Sequence, residues 1–156
     1  MTSLRAFARV VLTGFALAVS LAGCGIVSMS PPAATPTDFG GIASLLSPQG
    51  VVVTHVVSGD AGCTDPDLVP TAIAFDATGL DQSTPVRIYL YVFRNKAAWE
   101  RHRDAIPGCA AAFVTDPETF EQVEQSPYIV AGQGPWAADF EAALRRALEQ
   151  GAGTGG

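Results

Sequence analysis

Three cysteines, at positions 24, 63 and 109, carry the most versatile chemistry in this 156-residue sequence. A cysteine can be acylated, can pair in a disulfide, or can act as a nucleophile or metal ligand once its thiol is deprotonated. Cys24 follows directly on an apolar run near the start of the chain, whereas Cys63 and Cys109 lie far beyond it. The first cysteine and the later pair therefore call for separate interpretations.

The segment before Cys24 has the three parts of an export signal. Arg5 and Arg9 supply a positive start, residues 10–21 are almost entirely apolar, and two small residues then precede the cysteine. An apolar run of this length is short for a membrane-spanning helix and typical of a signal peptide. The alternative is a permanent N-terminal anchor helix. We predict that residues 1–23 are a removable signal.

The four residues Leu21-Ala22-Gly23-Cys24 resemble the bacterial lipobox, a Leu followed by two small residues and Cys. The resemblance covers only the first 24 residues. It implies that the Cys24 thiol receives diacylglycerol, that a signal peptidase cuts before it, and that the new amine can be acylated. Two or more acyl chains hold a protein stably on a bilayer. The resemblance thus implies a lipoprotein anchored to the cell membrane, on its extracytoplasmic face, with residues 24–36 as a flexible tether.

The remaining cysteines form an even pair in an exported chain. Disulfides persist outside the cytoplasm, so we predict a bridge between Cys63 and Cys109. In the chain-entropy model, a loop of this size stabilises the fold by roughly 4 kcal/mol. The alternatives are two free buried thiols and a redox pair, although the spacing is far from Cys-x-x-Cys.

The charge of the chain after the signal is strongly negative. All 15 acidic residues but only seven of the nine basic residues follow Cys24, which gives a formal charge near −8. Nucleic acids and anionic lipids repel such a domain. We therefore expect no nucleic-acid partner, and we expect the membrane to be contacted through the N-terminal lipid.

Residues 37–150 read as a single domain, and the Gly-rich residues 151–156 as a disordered tail. The patterns of apolar residues predict strands at 51–57, 71–76, 86–93 and 128–131, a weaker strand at 110–114, and helices beginning near Thr37, Asn95, Asp116 and Trp136. The first strand is apolar on both sides, which is typical of a central strand. Short turns between strands favour antiparallel pairing. We predict an α+β fold, a two-layer sandwich of about four mainly antiparallel strands with helices covering one face.

A stripe of large side chains is the most distinctive feature of the predicted strand at 86–93. Arg87, Tyr89, Tyr91 and Phe93 alternate with aliphatic residues and share one side of the strand. If helices cover the aliphatic side, the aromatic side needs its own cover or a partner. Tyr and Arg are enriched at binding hot spots, so this stripe is a candidate binding surface. The alternative is that a loop or the first helix covers it.

Other residues that could do chemistry match no recognised site, so we predict no catalytic residue, no metal site and no cofactor. The two histidines, His55 and His102, are not at ligand spacing, and His102 shares a helical stripe with apolar residues. Gly132 and Gly134 precede a predicted helix, where backbone amides can hold an anion, but a tight turn is the simpler interpretation. The acidic residues around Cys63 match no EF-hand and are interpreted as solvated loop charge.

Three interpretations of function follow. The first is a non-enzymatic binding or accessory module at the cell envelope, favoured by the absence of a recognised catalytic motif. The second is an extracytoplasmic hydrolase with an unrecognised site, in which His55 or His102 meets an acid and a nucleophile in a pocket. The third is a purely structural spacer in the envelope. Exposure of Tyr89 and Tyr91 would favour the first.

Overall fold

Five strands follow one another along the chain as β1 (Val51–Ser58), β2 (Ala72–Gly79), β3 (Gln82–Val92), β4 (Phe120–Gln125) and β5 (Tyr128–Gln133). The helices are α1 (Phe39–Leu46), α2 (Lys96–His102), α3 (Ile106–Ala110) and α4 (Ala138–Ala152), with 3-10 turns at Ser47–Gln49, Val69–Thr71, Arg103–Ala105 and Pro117–Thr119. The structure is a computed structural model that describes residues 38–153. The predicted signal, the lipobox with Cys24, the tether and the predicted helix start at Thr37 lie outside the described residues.

All neighbouring strands are antiparallel, in the spatial order β1-β2-β3-β5-β4. β3 is the longest strand and lies at the centre, so its side chains reach the core on both faces of the sheet. The predicted α+β sandwich with an antiparallel sheet is confirmed, with five strands where about four were expected.

One face of the sheet is covered by α1 and α4. Phe140 and Leu144 of α4 lie one helical turn apart and are fully buried, and Leu148 continues the same stripe. They pack against the aliphatic side of β3, which includes Ile88 and Leu90. Burying each of these large apolar side chains stabilises the fold by about 1.5–3 kcal/mol.

The opposite face is covered as well, contrary to the expectation that helices cover one face only. The loop after β1, together with α2 and α3, packs over the aromatic side of β3. Leu68 from the loop and Ile106 from α3 are completely buried there, beside Tyr91 and Phe93. Helices therefore cover both faces of the sheet. α1 and α4 cover one face, and α2 and α3 cover the other together with the long loop after β1.

The prediction that β1 is a central strand is wrong, because β1 lies at an edge of the sheet. Its pairing with β2 is interrupted between Thr54 and Val57, and His55 adopts a positive φ of 49° in the interruption. A bulge of this kind is one way in which edge strands avoid pairing with other chains. The apolar run is not explained by burial, since Val52 and Val56 are 54% and 48% exposed.

The helix predicted to begin at Asp116 is also wrong. Asp116 does accept a hydrogen bond from the Glu118 amide, and Pro117 follows it, but the resulting turn lasts only three residues. The chain then forms β4, in which Val123 is buried and pairs with Val130 of β5. Phe120 and Val123 are three residues apart and pack on opposite faces of the sheet, and the pairing of β4 with β5 outweighs the helix-start signal.

Three other segments differ from what the sequence pattern favours. A Pro-Gly pair commonly ends a helix, but Pro107 occupies the first turn of α3, where a missing N–H costs nothing. The strand expected at 110–114 is a turn. At the other end of the described residues, α4 continues through Ala152, so Gly151 and Ala152 are helical and not part of a disordered tail. The Tyr128 hydroxyl donates to the Gly151 carbonyl at 3.1 Å and holds this last turn in place.

Candidate functional site

The four residues of the stripe differ in burial. Tyr91 and Phe93 are buried, whereas Arg87 and Tyr89 are partly exposed. Tyr91 and Phe93 are 0% and 1% exposed, so their assignment to a binding surface is wrong. The Tyr91 hydroxyl donates to the Ala61 carbonyl at 2.8 Å, and burial raises the pKa of this phenol. Arg87 and Tyr89 are only partly covered and remain accessible from solvent.

The cover over Tyr91 is held by a disulfide. Cys63 and Cys109 are joined, with their Cα atoms 5.4 Å apart, as the sequence predicts. The bond ties the disulfide loop, which we define as residues 59–68, to α3. Because α3 belongs to the layer above β3, the bond fixes the loop across the aromatic side of the strand.

Arg87 lies at the centre of a polar network. Its Nη1 atom donates to Asp76 Oδ1 at 3.2 Å and to the His55 carbonyl at 3.1 Å, and its Nη2 atom donates to Asp60 Oδ2 at 3.2 Å. Asp76 in turn lies 3.1 Å from His55 Nδ1. One guanidinium thus holds the bulge of β1, the middle of β2 and the start of the disulfide loop together. Charge-assisted hydrogen bonds of this kind are stronger than neutral ones.

An open groove of about 600 Å³ lies beside this network. We call it the Tyr89 groove, and its lining includes Asp60, Gly62, Cys63, Thr64, Tyr89 and Phe113. The Tyr89 and Phe113 rings are neighbours, with centroids 4.3 Å apart and planes inclined at 31°. The groove is wide open to solvent, so a ligand in it would be covered on one side only.

Gly62 is required where the disulfide loop meets the two rings. Its φ is +72°, and a Cβ atom there would lie 2.4 Å from Phe113 Cδ1 and 2.9 Å from Tyr89 Cε1. Asp60 Oδ1 accepts the Gly62 amide at 2.9 Å and holds the turn. The groove therefore depends on a glycine that allows the backbone to approach the aromatic pair closely.

The electrostatics at the Tyr89 ring are dominated by burial and by acidic neighbours. Burial raises the pKa of Tyr89, and the negative charge of Asp60 raises it further, while Arg87 acts in the opposite direction. The phenol is therefore neutral at physiological pH.

The sequence pattern located Tyr89 but missed Asp60, Gly62 and Phe113 as parts of one site. The pattern places Phe113 in a weak strand and Asp60 among the solvated charges of a loop. The disulfide brings residues 60–64 close to residues 109–113. Only the predicted pairing of Cys63 with Cys109 indicated that these two segments are in contact. A glycine beside a predicted disulfide cysteine was the one local signal of a close approach.

The two histidines lie in different surroundings. His102 is half-buried and stacks on Phe93, with ring centroids 6.1 Å apart, which matches the boundary position expected from its helical stripe. The His55 side chain is 79% exposed and contacts Asp76, so it meets an acid on an open strand edge. His55 does not line the Tyr89 groove.

The turn that contains Gly132 and Gly134 has its amides occupied by the protein itself. The Gly134 amide donates to the Thr119 carbonyl at 2.6 Å, and the Trp136 amide donates to Glu121 Oε1 at 2.9 Å. The Glu121 carboxylate thus takes the position that an anion would need. The simpler interpretation of a tight strand-to-helix turn is the one consistent with these contacts.

The acidic side chains near Cys63 act largely as hydrogen-bond acceptors for the backbone. Asp65 Oδ1 accepts the Asp67 and Leu68 amides at 2.9 and 3.3 Å and so closes a turn in the disulfide loop. Within residues 38–153, no group of three His, Cys, Asp or Glu side chains is arranged to hold a metal ion. In the same range, no helix combines the length and apolar character needed to cross a bilayer.

Comparisons with protein-family models, with curated proteins and with solved structures find no match to this chain.

Proposed function

We propose that this chain is a bacterial lipoprotein whose domain is held at the extracytoplasmic face of the cell membrane by lipid on Cys24, where it serves as a non-enzymatic binding or accessory module. The observation that carries the proposal is the tetrapeptide Leu21-Ala22-Gly23-Cys24 placed directly after an apolar run. Acyl chains on that thiol supply the hydrophobic attachment.

Two features of the domain support this assignment. The disulfide between Cys63 and Cys109 suits a compartment outside the cytoplasm. The strong negative charge disfavours direct contact with anionic lipid, so the domain stands off the bilayer and is tethered only by its N-terminus. Tyr89 lines the Tyr89 groove and Arg87 lies beside it. Both are half-exposed, and they are the part of the predicted surface that remains available to a partner.

Fractionation of a Cys24→Ser variant tests the anchor. We expect the parent protein in the membrane fraction, and the variant either unprocessed or soluble, because a serine hydroxyl is not a substrate for thioether lipidation. The matched control is the double variant Cys63→Ser/Cys109→Ser, which replaces the other two cysteines and should remain with the membrane. A Cys24→Ser protein that is processed and sediments like the parent would contradict the proposal.

A second candidate, an extracytoplasmic hydrolase, is favoured by one observation. His55 Nδ1 lies 3.1 Å from Asp76 Oδ2, an arrangement in which a carboxylate orients an imidazole that can act as a general base. If the purified protein hydrolyses ester or glycoside substrates, a His55→Gln variant should lose that activity. Retention of full activity in the variant would remove this candidate.

A further inference from the structure

We propose that the Tyr89 groove binds a cationic side chain, the ammonium of Lys or the guanidinium of Arg, presented by a basic segment of a partner protein. The inference rests on the proposed role as a binding module and specifies the chemistry of its partner. Three features together support it: two adjacent aromatic rings, one accessible carboxylate and an excess of negative charge.

The aromatic pair provides the apolar half of the site. Tyr89 and Phe113 are both half-buried, so part of each ring is open to the groove. The face of an aromatic ring attracts a cation through its quadrupole. Lys and Arg also carry methylene stems that pack on apolar surface while their charged heads reach polar groups. A ligand without a positive charge would gain only the apolar packing and not the attraction of a cation to the ring face.

The carboxylate provides the charged half. Asp60 lines the groove, and 37% of its side chain is exposed. Its two oxygens accept from the Gly62 amide and from Arg87, which still leaves lone pairs for a third donor, because a carboxylate has about four acceptor positions. A cation in the groove can therefore contact Asp60 without displacing either internal partner.

Arg87 does not cancel this preference for a cation. Its guanidinium lies over the Tyr89 ring, 6.0 Å from the ring centre, and is shared between two carboxylates, Asp60 and Asp76, so the Phe113 ring and Asp60 remain for a second cation. The three side chains together carry one net negative charge. Asp65, in the same loop, adds another, and the whole chain after the signal is near −8. An anionic ligand would meet repulsion at close range and at a distance.

The site is also held in place before any ligand arrives. Gly62 lets the disulfide loop approach both rings, and the bond from Cys63 to Cys109 fixes that loop. A site that is already ordered avoids the entropic cost of ordering on binding. The groove can therefore receive a basic side chain without first having to order its own loop.

Titration by NMR tests the inference on the full chain in neutral detergent, with the aromatic rings isotopically labelled. The probes are two acetylated, amidated pentapeptides that differ only in one position, which is Lys in the first and norleucine in the second. We expect the Lys peptide to bind in the millimolar range and to shift the Tyr89 and Phe113 ring signals. The norleucine peptide should bind about fivefold more weakly or worse, because it keeps the stem and lacks the charge.

Two variants with matched controls locate the site. Asp60→Asn should weaken binding of the Lys peptide by about fivefold, whereas Asp67→Asn, which removes the same charge from the same loop outside the groove, should change it less than about twofold at physiological salt. Phe113→Leu should weaken binding by about threefold or more. Phe39→Leu, the same change on the other face of the sheet, should leave it unaltered.

Several results would overturn the inference. Equal binding of the two peptides would mark an apolar groove without charge selection. Equal losses in Asp60→Asn and Asp67→Asn would mark diffuse attraction to an acidic domain. No ring shifts with either peptide would remove the site altogether. None of these results would affect the lipid anchor, which stands or falls with the fractionation of Cys24→Ser.

Discussion

The Oδ1 atom of Asp81 lies 3.0 Å from the backbone nitrogen of Phe140 and accepts its hydrogen bond. The other oxygen, Oδ2, accepts the Asp139 amide at 3.0 Å. α4 has no side-chain cap of its own at Ala137, so the turn between β2 and β3 caps the helix from a distance of nearly sixty residues in sequence. This contact ties the central hairpin of the sheet to the helix that covers its first face.

The Asp81 cap predicts a dependence of stability on pH. Hydrogen bonds from the Asp139 and Phe140 amides lower the pKa of Asp81 below its ordinary value of 3.8. The cap therefore stabilises the fold fully above that value and loses its effect as the pH falls through the lower folded pKa. We expect the melting temperature of the parent to exceed that of Asp81→Asn at about pH 6, with the gap narrowing towards about pH 2.

Circular dichroism melts at several pH values check this, with Asp67→Asn as the control for the loss of one surface charge. If the difference in melting temperature between the parent and Asp81→Asn stays constant from neutral to acid pH, the carboxylate charge is irrelevant to the cap.

The two tyrosines of β3 should respond differently to loss of the hydroxyl. Tyr91→Phe removes the buried donor to the Ala61 carbonyl, so we expect a loss of about 1–3 kcal/mol in the free energy of unfolding. Tyr89 is half-exposed, so Tyr89→Phe should change that free energy by less than about 0.5 kcal/mol. Urea denaturation of both variants measures the difference. Equal effects would mean that Tyr91 is not buried as described.

Two glycines with positive φ provide a test of backbone packing. A Cβ at Gly79 would lie 2.0 Å from the Gly50 carbonyl oxygen, where β1 and β2 pair, whereas a Cβ at Gly59 would meet nothing within 4 Å. Gly59→Ala should cost about 1–2 kcal/mol through its φ of +76° alone. Gly79→Ala should cost roughly 3 kcal/mol or more, since a backbone atom cannot easily move aside. Thermal or urea unfolding ranks the two, and the reverse order would contradict the pairing of these strands.

Removing the disulfide should loosen one face of the sheet and leave the other intact. The bond closes a loop with a sequence separation of 46, and its loss in Cys63→Ala/Cys109→Ala should cost about 4 kcal/mol in the chain-entropy model. Hydrogen exchange should quicken in the disulfide loop and α3, with a smaller change in α4. Uniform acceleration across the chain would show that the two faces do not open separately.

Sequence patterns predicted the strands better than their positions in the sheet. The alternation around Ile88 and Tyr89 gives β3 directly, because its period of two is strict. The same alternation could not show that Tyr91 is buried and Tyr89 half-exposed, since that difference depends on where the disulfide loop crosses the strand. For β1, apolar side chains suggested burial on both faces, but no local signal reports the position of a strand within the sheet.

The Tyr89 groove could not be predicted because its parts meet only after the chain has folded. Asp60 and Phe113 are more than fifty residues apart, and the bond between Cys63 and Cys109 brings their segments together. The error at Asp116 has a different origin. Its capping side chain is real and starts a turn, but the pairing of β4 with β5 overrides the local preference for a helix.

Intact-mass and peptide mass spectrometry of the protein extracted from membranes tests the central proposal most directly. The prediction is an N-terminal peptide that begins at Cys24 and carries the added mass of diacylglycerol, with or without a further acyl chain on its amine. An unmodified peptide that retains residues before Cys24, or a mature N-terminus elsewhere without lipid, would contradict it.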